Sequence, residues 1–302
     1  MMNIRKLVEL GPLALFSLAL AGCGDGSGGG IASTPTPPSY QTLQQIVSQG
    51  GNRSFSTSGV QLGATTATSN PYGSGVTVAY TASSDSYTLT APDGTAATFS
   101  PNNLYQAATT PNTVQYIKSS GSGSGEVDDN LVIGTATVKG VALSYTMVGE
   151  WVHATPNGIA IWLATGGVPT LASDVPKTGT ANYTVEVNGS AQAGGTSYSI
   201  QPTNSSGTFS ANFGAGTVAT SLTLVGTPSV AGFGTVTQFG TFNGTGTITA
   251  GGPGFTGTFS TGSGSSLFTG NFNGPQAAEV GYSWAINTGS LAAAGITVGK
   301  KN

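Results

Sequence analysis

Residues 217–225 read TVATSLTLV, and the alternation within them decides the fold. Val218, Thr220, Leu222 and Leu224 fall on one side of a period-two repeat, and Thr217, Ala219, Ser221 and Thr223 on the other. Successive side chains of a strand point to opposite faces, so this stretch has one face to bury and one hydroxyl-rich face to leave in water. The reading extends in both directions. Upstream lie Ala181/Tyr183/Val185/Val187 and Phe209/Ala211/Phe213. Downstream lie Phe255/Gly257/Phe259, Phe268/Gly270/Phe272 and Val280/Tyr282/Trp284/Ile286. Turns every ten residues or so predict a sandwich or a closed barrel. Gly257 and Gly270, inside strands, suit the tight curvature of a small barrel. From 178 to 299 the only charges are Glu186 and Glu279.

The preceding half also reads as strands. Val76, Val78 and Tyr80 alternate with polar residues, as do Tyr87 and Leu89. Pro92-Asp93-Gly94 is a turn, because Pro fixes φ and Gly accepts φ > 0. Val114 and Tyr116 follow, then a GSGSG loop tip at 121–125. Residues 131–133, 143–147 and 159–163 read as better-buried strands. Tyr40, Leu43, Ile46 and Val47 fall on one face at helical spacing and predict one short amphipathic helix.

Composition narrows the function classes. Charged residues are 6% of the chain against roughly 25% in an average soluble protein, and 48 glycines exceed the usual share. Such a chain escapes disorder because 37% of it is hydrophobic and its aromatic residues alternate. With a net charge of −3 and no basic run outside the extreme N-terminus, it lacks the footprint of a nucleic-acid binder.

The N-terminus places the protein. Arg5 and Lys6 precede an apolar stretch over 10–20, which ends in LAGC at 20–23. A charged start, an apolar core and small residues at the cut form a secretory signal peptide. The core is shorter than the ~20 residues a membrane-spanning helix needs. Cys23 is the only cysteine, so an intramolecular disulfide is impossible. The run resembles the lipobox of bacterial lipoproteins, which implies lipidation of Cys23 and cleavage after Gly22. Residues 1–22 are then the signal peptide and 23–39, Gly/Ser-rich passing into Pro-rich, a flexible tether to the membrane.

Several segments resemble transferrin-binding protein B-like surface lipoproteins. They are Gly149-Glu150-Trp151, residues 175–183 (VPKTGTANY), residues 207–214 (GTFSANFG) with Thr217-Val218, and residues 270–281 (GNFNGPQAAEVG). The last is the most specific. Departures are Tyr282-Ser283, where the family usually carries another glycine, and Asn273, where Tyr is common. The resemblance implies an all-β chain: an N-terminal antiparallel handle domain over 40–175 and a C-terminal eight-stranded β-barrel over 176–302. The matched motifs are turn and barrel residues, and no ligand contact of the family maps onto this chain.

Chemistry-bearing groups are few. Residues 252–257 fit G-x-G-x-x-G, but Phe255, Gly257 and Phe259 alternate as a strand, whereas a dinucleotide fingerprint must open a helix. His153 is the only histidine, a solvent-facing or hydrogen-bonded side chain on a handle strand or, alternatively, an axial ligand for haem iron. Without a second histidine or any G-x-S-x-G elbow, neither a zinc site nor a Ser-His-acid triad is composed. Glu126, Asp128, Asp129 and Asn130 form the densest acidic cluster, but their spacing does not match a calcium loop, and a solvated loop is the expectation. Trp151, Trp162, Tyr72 and Arg53 put hot-spot residue types on the handle, whereas Trp284 lies in the inward register of its strand.

The expectation is therefore a non-enzymatic surface lipoprotein of the outer membrane, without a cofactor. By resemblance it captures a protein or haem ligand for a partner outer-membrane transporter in iron acquisition, and reaches the surface through a lipoprotein translocator. A structural or adhesive surface lipoprotein without an iron ligand is the alternative.

Overall fold

The computed structural model describes residues 39–122, 125–230, 234–261 and 265–302. The segments expected to be the signal peptide (1–22) and the tether, with Cys23 between them, lie outside the described residues up to residue 38.

The chain enters through α1 (Leu43–Ser48), which starts on a capping box between Thr42 and Gln45. Leu43 is buried, Tyr40 and Ile46 are partly buried and Val47 is exposed, so the expected four-residue apolar face is covered except at Val47. The helix is six residues long and docks on the handle by its first turn, leaving the last turn in solvent.

Ten strands follow: β1 (Arg53–Phe55), β2 (Thr57–Leu62), β3 (Ala67–Asn70), β4 (Thr77–Thr81), β5 (Ser86–Thr90), β6 (Ala96–Phe99), β7 (Thr113–Ser120), β8 (Val127–Val138), β9 (Val141–Thr155) and β10 (Gly158–Gly167). They form two antiparallel sheets, β1-β4-β5-β6 and β3-β2-β10-β9-β8-β7. Val78, Leu89 and Phe99 of the smaller sheet meet Tyr116, Leu131, Ile133, Trp151 and Trp162 of the larger one in a single core.

The barrel comprises β11 (Thr180–Ala193), β12 (Thr196–Ile200), β13 (Ser206–Asn212), β14 (Thr217–Pro228), β15 (Thr237–Ile248), β16 (Gly254–Phe259), β17 (Leu267–Asn273), β18 (Glu279–Asn287) and β19 (Leu291–Lys301). β12 and β13 are two halves of one stave, since both pair with β11 on one side and β14 on the other. Pairing of β11 with β19 closes the sheet, and the staves number eight. Closure leaves no free edge. At this strand number side chains fill the interior. Phe209, Phe255, Phe268, Phe272, Tyr282 and Trp284 are all buried there. Phe209 lies 5.2 Å from both Phe255 and Tyr282, ring centre to ring centre. Gly257 faces this interior, and a Cβ there would run into the Phe268 ring. The in-strand glycines leave room for the rings.

The larger handle sheet packs its second face on the outside of the barrel. Val60, Leu62, Ala67 and Leu163 cover Ala285, Ala292, Ala294 and Ile296. The strongest motif of the sequence, 270–281, sits in this seam. The Glu279 carboxylate accepts hydrogen bonds from the backbone N–H of Ser144 (2.7 Å) and Tyr145 (3.0 Å) and from the Thr146 hydroxyl (2.9 Å). Asn273 donates to the same Thr146 hydroxyl at 3.0 Å. A Cβ on Gly274 or Gly281 would press into Tyr145 or Thr165 of the handle. Ser283, a departure from the family pattern, donates to the Gly59 carbonyl of the handle.

Candidate functional site

The handle brings His153 and Asp129 together. The two residues are register partners on β9 and β8, and His153 Nδ1 lies 2.7 Å from Asp129 Oδ1. The indole N–H of Trp151 donates to the same oxygen at 2.8 Å. A carboxylate accepts only, so the imidazole proton here belongs on Nδ1. Trp151 stacks on Trp162 with ring centres 4.6 Å apart. Asp129 is buried, and its charge is met by these two donors rather than by water.

This arrangement corrects two expectations. Trp151 and Trp162 are core residues, 1% and 2% exposed, and present no surface to a partner. The acidic cluster is no solvated loop: Asp128, Asp129 and Asn130 lie inside β8 and alternate in direction. Asp128 accepts from the Ser119 hydroxyl, and Asn130 from the Gln115 side-chain amide. Among the described residues no group of three or more His, Cys, Asp or Glu comes together as a metal site.

The remaining sequence candidates also have structural places. Residues 254–259 form strand β16, as their alternation predicted. Arg53 donates to the Val47 carbonyl and lies over the Tyr80 ring at 5.5 Å. Tyr72 is half-buried, and burial raises the pKa of its hydroxyl. Trp284 is fully buried, in line with its inward register.

One groove on the surface was not legible in the sequence. A groove of about 460 Å3 runs between the β9–β10 turn of the handle and the barrel wall, lined by Leu62, Ile159, Ile161, Tyr198 and Ser229 among others. Ile159, expected to be well buried, is 63% exposed at its rim, and Val230 beside Ser229 is 57% exposed. Ile159 lies next to Gly158 at the hairpin tip, beyond the reach of the opposing sheet. Its position beside the Asn157-Gly158 turn was the one available signal.

The sequence matches no protein-family model and no curated protein. Among solved structures, the fold is similar to a double mutant of transferrin binding protein B from Haemophilus parasuis Hp5. The TM-score is 0.49 at 17% identity, over 82% of this chain and 45% of that one. Isotype 1 transferrin binding protein B from serogroup B Neisseria meningitidis gives 0.43 at 15% identity, over 82% and 43%. The N-lobe domain of lactoferrin binding protein B of Moraxella bovis gives 0.31 at 15% identity, over 68% and 90%. The chain spans less than half the length of the first two.

Proposed function

We propose that this chain is a non-enzymatic surface lipoprotein of the outer membrane that captures a protein or haem ligand in iron acquisition. A partner outer-membrane transporter receives the ligand, and a surface lipoprotein translocator delivers the protein to the exterior. Cys23 carries the lipid, residues 23–39 tether the body, and 40–175 and 176–302 are its handle and barrel domains. The iron role follows the family resemblance of the sequence.

The observation that carries the binding reading is where the apolar surface lies. The barrel interior is packed with aromatic rings over the described residues. Ile159 and Val230 instead stand exposed beside a groove joining handle and barrel. Recognition then belongs to the outer surface at that junction. The uncharged Thr/Ser/Asn wall favours a second reading, a structural or adhesive lipoprotein.

Growth of a deletion strain on haem or on a protein-bound iron source as sole iron separates the two. The binding reading expects a growth defect on at least one source, and recovery of that iron-loaded partner by the purified, acyl-free protein. Normal growth on every source with no partner recovered leaves the structural reading.

A further inference from the structure

Another cleft between handle and barrel differs in chemistry from the groove at Ile159. It measures about 540 Å3 and lies between β8–β10 of the handle and the outer wall formed by β11, β12 and β19. That volume is in the range of small-molecule sites. Of its lining side chains only one is ionisable, Glu150.

Glu150 sits mid-strand on β9, directly between Val132 of β8 and Leu163 of β10. Its neighbour Trp151 points into the handle core, so Glu150 faces the barrel. The side chain is partly buried, and among the described residues its carboxyl meets no hydrogen-bond donor and no cation, so it is open to whatever occupies the cleft. Loss of solvent, with no compensating contact, raises its pKa above the ordinary 4.5. Asp129 and Glu279, the buried acids among the described residues, each accept two or more hydrogen bonds. Glu150 differs from both in having no partner within the protein, which leaves its carboxylate free to meet a cation in the cleft.

We propose that this cleft binds a small primary ammonium ion, with Glu150 as its counter-ion. The ligand must bring the positive charge, because no Lys, Arg or His lines the cleft. An ammonium head has three N–H donors. Glu150 takes one, and hydroxyl and amide oxygens such as those of Ser190, Ser199 and Gln201 are available for the others. The aliphatic walls, Val132, Leu163 and Ile296, suit an alkyl stem. A divalent metal ion fits poorly, since calcium takes six to eight oxygen ligands and a single carboxylate supplies at most two. The inference is independent of the iron reading and stands or falls separately from it.

The test uses calorimetric titration and thermal unfolding of the acyl-free protein at matched ionic strength. Its probes are n-butylammonium, n-butanol, butyrate and Nα-acetyl-lysine N-methylamide. Saturable binding with a raised Tm is expected for an ammonium probe only, with Glu150→Gln weakening it about tenfold or more, the loss of one charged pair. A response to the lysine derivative alone assigns the cleft to a lysine side chain, and a response to n-butylammonium assigns it to free amines. Equal binding by Glu150→Gln, an equal response to n-butanol, or no response to either ammonium probe overturns the proposal. Should Glu150→Gln not fold, the wild-type affinity is followed against pH. It should rise as Glu150 ionises, and a flat profile from about pH 5 to 8 overturns the proposal as well.

Discussion

The carboxylate of Glu279, at the first position of a barrel strand, accepts the hydroxyl hydrogen of Thr146 from the handle at 2.9 Å. The same carboxylate takes the backbone N–H groups of Ser144 and Tyr145, so one side chain fastens three consecutive handle residues to the barrel. Both partners are buried, so the alternative to these bonds is an unpaired group away from water. Glu279→Ala is expected to lower stability by about 3 kcal/mol, the scale of buried hydrogen bonds to a charged group. The urea midpoint should fall with the slope unchanged. A midpoint within error of the wild type would mean the seam does not depend on this residue.

How this seam was visible in the sequence is instructive. The motif 270–281 stood out as the most specific match, and its fold reading as a barrel turn was right. Its other role, contact with a separate part of the chain, left no local trace. Asn273 and Ser283 looked like departures from a pattern, yet each bonds across the seam. Strand alternation could be read because period two is a property of one strand. Exposure was less legible, because it depends on what covers a face. Trp151 looked like a surface anchor and is core, while Ile159 looked like core and is surface. The pairing of Asp129 with His153 joins residues 24 apart in sequence through strand register, which composition does not encode.

Glu150 makes stability depend on pH in a definite direction. Its pKa in the folded protein is raised, so the native state holds this proton more tightly than the unfolded chain does. The proton difference makes stability fall as pH rises from about the ordinary 4.5 up through the raised value. Above that window the full cost of the buried charge is present. Glu150→Gln, which has no charge to desolvate, should match the wild type below the window and exceed it at neutral pH. Tm measured against pH checks this, and parallel curves would show that Glu150 is not desolvated.

The barrel interior should resist added volume. Gly244 of β15 faces inward, and a Cβ there would lie 2.9 Å from Phe268 and 3.0 Å from Phe259. Gly244→Ala is expected to cost about 1–3 kcal/mol by overpacking. Only ring atoms stand in the way, so Phe268→Leu should relieve much of that cost. The double mutant is then less destabilised than the sum of the singles. Strict additivity in chemical unfolding would mean the backbone, and not the rings, limits this site.

Residues 176–302, expressed alone, should give a β-type far-UV spectrum and a cooperative melt, because the closed barrel carries its own core. Removing the handle uncovers Ala285, Ala292, Ala294 and Ile296 on the outer wall. The fragment should therefore melt below the full chain and associate as its concentration rises, which sedimentation would detect. A random-coil spectrum would place the handle within the folding unit and move the proposed boundary.

Ile159 provides the sharpest separation of binding from folding. It is 63% exposed at the β9–β10 turn, so replacing it removes little buried surface. Ile159→Asp should leave the unfolding free energy within the small range of surface substitutions, about 0.5 kcal/mol. In a partner complex the same position would be desolvated, and a carboxylate there would lack a counter-charge, since no basic residue lines the adjoining groove. Under the proposed function, capture of the ligand should then weaken by more than about tenfold, the loss typical of an interface hot spot. Trp284→Ala should do the reverse. Its ring is fully buried in the barrel, so the substitution is expected to cost about 3–5 kcal/mol while the surviving folded fraction still binds. Undiminished capture by Ile159→Asp, together with lost capture by folded Trp284→Ala, would place recognition away from this groove.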